Sequence, residues 1–290
     1  MSSARPPAEE EQARADARRR SGEDRVPQSR PGVWPGVVAP AATGLLALGL
    51  WEWIVRARDI PPYILPGPVL IARTLVEDWP VLAPSLVVTL MIALKALALA
   101  AVGGVALAVL LSQSRWLGRS LLPYAIVLQV TPVVAIAPLI IVWVDDVGSA
   151  LLICAWLVAF FPILANTMVG LSSADRNLVD LFRLYRASRW QTMLYLRCPA
   201  ALPYFLAGLR ISGGLALIGA VVAEFVAGAG GSASGLAYRI MESGYQLRIP
   251  RMFAALILIS FSGVAIFAAT SLLSRLLLMR WHDSEIRREG

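Results

Sequence analysis

The sequence predicts an all-α, polytopic membrane protein with about six transmembrane helices and a basic insert between two of them. Three observations carry that expectation. Hydrophobic residues make up 58% of the 290 residues, with a mean hydropathy of +0.68, where a soluble domain is roughly 45–50% apolar. The excess sits in blocks of about 20 residues or more, the length that crosses a hydrocarbon core of roughly 30 Å. Between the last of these blocks but two and the one that follows it lies "LYRASRWQTMLYLRCPAALP" (184–203), a basic, proline-terminated stretch in an otherwise apolar region.

The net charge is +7, and nearly all of the basic residues are arginine, Lys95 being the sole lysine. No basic patch alternates with aromatics as a nucleic-acid surface requires. Basic loops on the cytoplasmic side of a membrane account for the charge. The two cysteines, Cys154 and Cys198, fall in different contexts and suggest neither a disulfide framework nor a metal site. A single histidine, His282, also argues against a metal centre.

Residues 1–33 are polar and rich in Arg, Glu, Pro and Ser, the composition of a disordered tail. They do not read as a signal peptide, because the apolar segment that follows starts late and runs long. The membrane domain is expected over 34–283, with a short tail at 284–290. Six apolar spans are placed near 34–55, 83–111, 120–144, 149–171, 203–228 and 253–280. The third contains Pro123, Pro132 and Pro138. Each removes a backbone donor, so this span is expected to be kinked or broken. Broken backbone survives at membrane depth only where protein covers it or water reaches it.

Arginines set the orientation. The N-terminal tail, the 112–119 and 172–202 loops and the C-terminal end hold most of them. The opposite loops hold Arg56, Arg58, Arg73, Arg239, Arg248 and Arg251. The positive-inside rule then puts both termini and the basic insert in the cytoplasm, and Asp145-Asp146 outside.

Within the insert, about 175–200, apolar residues fall at 178, 181, 182 and 185, one face of a short helix. The pattern breaks at "RASR" and resumes at Trp190, Met193 and Leu194. Two short helices with a turn near Arg186–Arg189 are expected, and Ser188 is placed to cap the second. Pro199 and Pro203 are expected to close the insert and restart the chain as a span. An interfacial amphipathic segment would share these features. The span that follows carries small residues at positions that allow close helix approach.

Other residues keep two readings each. Glu224 lies deep in the fifth span, either on a solute pathway or in a structural hydrogen bond to a neighbouring helix or the nearby "GAGG" backbone. Arg210 has the position to snorkel to the interface. Lys95 either lines a path or packs against a polar partner. Thr131 and Pro132, at the expected break, are candidates for a translocation surface. Asn166 with Pro162 is a weaker case of the same kind. Most tryptophans lie near span ends, as an aromatic belt does.

The stretch from Asp180 to Pro203 resembles the EAA loop of the membrane permeases of bacterial ABC importers. "DLFRLYRAS" stands where "EAAxxxGAS" is usual, and "CPAALPYFLAGLR" where "LPAALPYILAGLR" is usual. "LPGPVLIARTL" (65–75), "TPVVAIAPL" (131–139) and "VVAEF" (221–225) are similar to further motifs of the branch serving nitrate, sulfonate, taurine and some pyrimidine precursors. The resemblance covers about residues 35–283. It implies a permease fold in which the insert is a coupling helix. The residues it assigns to ATPase coupling are Asp180, Leu181, Phe182, Arg186, Ala187, Ser188 and Pro199. Asp180 replaces the usual Glu, Leu181 and Phe182 the two alanines, and Arg186 the usual Gly. A glycine there permits a positive-φ turn that other residues adopt at a cost, so the turn is expected to be built differently or strained.

The resemblance further implies a bacterial inner-membrane subunit of an ATP-driven importer of a small anionic or polar solute. ATP and Mg would bind a separate cytoplasmic ATPase, not this chain. The implied partners are that ATPase, an extracytoplasmic solute-binding protein, a second permease copy as a homodimer, and lipid. Selectivity would sit mainly in the binding protein. Thr131, Pro132 and Glu224 are the candidates for the translocation path. A stand-alone secondary transporter or channel is the alternative; it would show inverted repeats or more intramembrane charge. A membrane enzyme would need a cluster of His, Asp, Glu or Cys near one face, which the sequence lacks.

Overall fold

The computed structural model describes residues 33–228 and 234–282, and every regular element among them is a helix. The tails expected at the two ends lie outside these residues, apart from Val33. The chain divides into two units, one ending at Ile54 and one from Val55 onward. Most of α1 (Val33–Ala57) belongs to the first. It is apolar along its length, and Thr43 Oγ1 turns back to donate to the Ala39 carbonyl at 2.9 Å.

The second unit begins with a short helix, α2 (Pro68–Glu77), started by a proline in its first turn, where no backbone donor is needed. Next comes α3 (Trp79–Gln113). Its 35 residues run roughly 52 Å at 1.5 Å per residue, more than a bilayer core requires. Leu82, Ser85, Thr89, Ala93, Ala96, Ala100, Gly104, Ala108 and Leu111 are buried. Their spacing of three and four marks one stripe facing the bundle.

The third span breaks as its prolines predict, and at one of the three. It forms α4 (Arg115–Val130) and α5 (Val133–Trp143), with Thr131 and Pro132 between them. Pro123 and Pro138 stay inside helices. Neither piece alone is long enough to cross. Five helices among the described residues are long and apolar enough to do so, where about six were expected. The sixth is this broken pair.

α6 (Val147–Ser172) starts at Asp146, whose carboxylate accepts from the Ser149 backbone N–H at 2.7 Å. Hydrogen bonds from Ser149 hold the Asp146 carboxyl below the ordinary carboxylate range. α7 (Arg176–Leu184) and α8 (Arg189–Thr192) form the insert, and α9 (Cys198–Ala227) returns antiparallel to α6. α6 and α9 are the central pair. Ser212 Oγ donates to the Ala159 carbonyl at 2.6 Å. A Cβ on Gly208 would meet the Pro162 carbonyl at 2.9 Å, and one on Gly219 would meet Ala155 Cα at 2.9 Å. The small residues expected to let helices approach closely do so here.

α10 (Leu236–Tyr245) lies at the end of the bundle opposite the insert, and α11 (Ile249–His282) completes the unit. Arg251 grips Asp78 with both arms of its guanidinium, Nε to Oδ2 at 2.6 Å and Nη2 to Oδ1 at 2.7 Å. This pairing ties the start of α11 to the α2–α3 corner.

Candidate functional site

The insert is two short helices joined by a built turn. Asp175 caps α7 by accepting from Asn177 N–H at 2.8 Å. At the other end, Ala187 N–H reaches back to the Phe182 carbonyl and Arg186 N–H to that of Arg183, both at 2.9 Å. This six-to-one and five-to-two pair closes a helix with a left-handed residue just past its end, usually glycine. Arg186 fills that place with φ +53. The turn therefore keeps the glycine geometry, and Arg186 carries its strain. Asp59 and Leu247 end α1 and α10 with the same bond pattern at φ +45 and +55.

Ser188 then caps α8. Its hydroxyl accepts from Gln191 N–H at 3.2 Å, while the Gln191 side chain accepts from Ser188 N–H at 2.7 Å. Ser188 was the expected cap; Gln191, which completes the box, was not singled out in the sequence.

One expectation for the insert is corrected. Pro199 and Pro203 do not close it. α8 runs through a wide, π-type turn at Met193–Arg197 into α9, so that Arg189–Ala227 is one continuous 39-residue helix. Cys198 N–H bonds the Met193 carbonyl, five residues back. This wider turn gives the Pro199 ring the room that a regular α-turn denies it.

The outer surface of the insert is polar and apolar at once. Leu184, Tyr185 and Trp190 are 81%, 78% and 69% exposed, and none of α7 is buried. Leu181 is exposed beside them and Phe182 is half-buried. Asp180 is exposed and pairs with Arg183 at 3.1 Å.

Thr131 and Pro132 sit on a cavity of about 340 Å³, between the α4–α5 break and Phe161, Pro162 and Leu215 of α6 and α9. Thr131 Oγ1 donates to the Val127 carbonyl at 2.8 Å, which satisfies its hydroxyl within the break. Asn166 donates to the carbonyl of Pro162, which lines the same cavity, at 2.8 Å.

Glu224 is elsewhere. It is buried at the far end of α9, and its carboxylate closes on the start of α10. Oε2 accepts from Ala237 N–H at 2.9 Å, and Oε1 accepts from Thr89 Oγ1 at 2.8 Å. Thr89 in turn accepts from Leu236 N–H at 2.9 Å. A carboxylate and a hydroxyl from two long helices thus satisfy the free donors of a third. A Cβ at Gly235 would collide with the Glu224 carboxylate. Of the two readings open for Glu224, these contacts are those of the structural one, to a neighbouring helix. Thr89 was missed in the sequence, where nothing separates it from other threonines of an apolar run.

The arginines of the loops expected outside are also partly occupied. Arg73 pairs with Glu77 at 3.4 Å, Arg251 with Asp78, and Arg239 with Glu242 at 2.8 Å. Arg239 Nε further donates to Ser85 Oγ at 3.0 Å. Their number is therefore no measure of charge offered to a solute. Among the described residues no three His, Cys, Asp or Glu side chains gather as metal ligands do.

Residues 100–288 match the family described as the inner membrane component of binding-protein-dependent transport systems. The riboflavin transport system permease protein RibX of Chloroflexus aurantiacus is 36% identical over 87% of this chain and 92% of its own length. The formylaminopyrimidine transport permease protein ThiX of Halalkalibacterium halodurans is 34% identical over 82% and 94%. The putative aliphatic sulfonates transport permease protein SsuC of Bacillus subtilis is 32% identical over 89% and 91%. The long apolar helices, the broken span and the built insert are thus those of a transport permease, and the chain belongs to the binding-protein-dependent transport system inner membrane components.

Proposed function

We propose that this permease forms half of a translocation pathway for a small anionic or polar solute, and that its insert receives a cytoplasmic ATPase. One observation carries the second part: Leu184, Tyr185 and Trp190 stand exposed on an insert whose two helices each begin with a side-chain cap. Apolar side chains held out on a rigid, polar-rimmed helix suit a partner groove. Asp180, Leu181, Phe182, Arg186, Ala187 and Ser188 form the handle, and Pro199 lies in the shaft, past the wide turn. Because α8 continues into α9, a displacement of the handle passes along a single helix to the α6–α9 core. The cavity at Thr131 and Pro132 lies beside that core and is the proposed path surface. Glu224 lies away from that surface and holds the start of α10.

The chain itself then performs no hydrolysis. ATP and Mg bind the ATPase, an extracytoplasmic binding protein delivers the solute, and a second permease copy completes the pathway. Both termini lie in the cytoplasm, as the arginine distribution supports. The names of relatives, for riboflavin, formylaminopyrimidine and sulfonates, support a small polar or anionic compound as the solute.

Charge reversal tests the handle. Asp180→Arg is expected to leave the chain inserted, with ATP hydrolysis no longer linked to uptake in cells carrying the whole importer. Normal uptake by that variant would overturn the assignment. Uptake that persists with ATP depleted and an ion gradient intact would overturn the ATP-driven reading itself.

A further inference from the structure

A polar chamber of about 720 Å³ opens at the insert end, where the turn after α3, the end of α6, α7 and the foot of α9 meet. Arg176, Arg183 and Arg197 line it, with Asp180 as the one acid. Asp180 is already engaged by Arg183. Arg176 and Arg197 have no ion pair or hydrogen bond to another side chain among the described residues. The remaining polar lining is Ser112, Ser114 and Ser172. Two guanidiniums therefore face the chamber uncompensated.

A second, apolar groove of about 530 Å³ adjoins it. Val102, Val105 and Val109 of α3 form one wall, and Leu202 and Phe205 of α9 the other. Leu171 lines both spaces, and the neighbours Arg197 and Cys198 line one each. From Val109 to Val102 the groove rises roughly 10 Å along α3, away from the chamber.

A third observation falls inside the groove. Thr167, one helical turn from Leu171, lines it, is 3% exposed, and has a hydroxyl with no hydrogen-bond partner. Buried hydroxyls are rarely left unpaired, and each such orphan calls for a partner.

We propose that these three features form a binding site for one anionic phospholipid. Its phosphate sits among Arg176, Arg183 and Arg197, where planar guanidiniums match phosphate oxygens. Basic pockets between spans on the cytoplasmic side are the usual place for such headgroups. An ester carbonyl below the phosphate accepts from Thr167, and an acyl chain fills the groove. Free phosphate would leave the groove and Thr167 unmatched. A zwitterionic lipid carries the same phosphate, but its ammonium cancels the charge, so the two arginines attract it less. The lipid joins the insert, through Arg176 and Arg183, to the foot of α9, through Arg197. The posture of the insert then depends on the anionic lipid content of the membrane.

The full chain, purified in detergent, tests this by native mass spectrometry of retained lipid, a readout independent of the solute and the ATPase. The probes are phosphatidylglycerol, phosphatidylcholine with the same acyl chains, and inorganic phosphate. Phosphatidylglycerol is expected to bind roughly 30-fold more tightly than phosphatidylcholine, from two cations each attracting an anionic lipid. The double variant Arg176→Gln/Arg197→Gln is expected to lose that preference. Ala106→Trp fills the groove and leaves the arginines, and is also expected to lose retention. Thr167→Val is expected to weaken it several-fold. Equal retention of both lipids by the wild-type chain would overturn the proposal, as would a preference unchanged in all three variants. Inorganic phosphate displacing phosphatidylglycerol equally in wild type and Ala106→Trp would reassign the chamber to free phosphate. A dimer lost in Ala106→Trp, with no lipid bound by wild type, would reassign the groove to a second copy.

Discussion

Arg186 bears the turn between α7 and α8 at φ +53, a backbone conformation that costs a non-glycine residue roughly 1–2 kcal/mol. Glycine relieves that cost but gives back part of it through its freer unfolded chain. Arg186→Gly is therefore expected to stabilise the protein by about 1 kcal/mol at most. ATPase binding should be kept or improved, because the hydrogen bonds closing the turn use only backbone. A thermal midpoint and a pull-down of the ATPase check both. Glu224 presents the reverse case, a side chain whose oxygens are all engaged. Gln can still accept from Ala237 N–H, and its amide can donate to Thr89. Glu224→Gln is expected to cost about 1 kcal/mol and to preserve uptake, whereas Glu224→Ala leaves buried donors unpaired and costs about 1–3 kcal/mol. Uptake abolished in Glu224→Gln with normal stability would instead show that the charge acts on the solute. The sequence could mark this carboxylate as buried. It could not choose between roles, because Thr89 and Ala237 lie 135 and 13 residues away from it.

At the scale of elements, the continuity of α8 with α9 is the main departure from what the sequence suggests. Prolines at 199 and 203 read as stops, yet the wide turn before Pro199 clears its ring, and Pro203 stays inside the helix. The short helix that follows the handle, α8, and the span form one rod. Two glycines inserted between Arg197 and Cys198 should break that rod without touching the handle. The expected result is an importer that still binds its ATPase but no longer links hydrolysis to uptake. Coupling retained in that variant would show that α7, hanging from α6, carries the movement instead. The cap at Ser188 was legible, since a serine just before a resuming apolar pattern is a local signal. The broken span was legible as broken. Which of Pro123, Pro132 and Pro138 breaks it was not, since Pro123 and Pro138 are accommodated within α4 and α5.

For the whole molecule, the α6–α9 interface decides how closely the two central helices lie. In lipid the hydrophobic effect does not press helices together, so contact rests on packing and interhelical hydrogen bonds. Gly208→Ala puts a methyl against the Pro162 carbonyl and Asn166, and is expected to cost about 1–3 kcal/mol as overpacking. Gly214→Ala meets nothing within 4 Å and should be neutral or slightly favourable, Ala being the better helix former. Thermal midpoints of the two variants in one detergent provide the comparison. Equal loss in both would mean that helix propensity, not contact, sets the effect.

The sequence by itself determined the class, the spans and the insert. Those follow from signals that are local or periodic: apolar blocks long enough to cross a bilayer, arginines in loops, and capping residues a few positions apart. It also carried the family, through short motifs read in order. Only the tertiary structure decided that Glu224 closes the start of α10, that Arg251 holds Asp78, and that three arginines and an unpaired threonine meet around two adjoining cavities. The last two depend on helices distant in sequence packing side by side, and the first on Thr89 of α3 as well as on the next helix along the chain. In an apolar chain every span face looks much alike until that packing selects which polar groups must find one another.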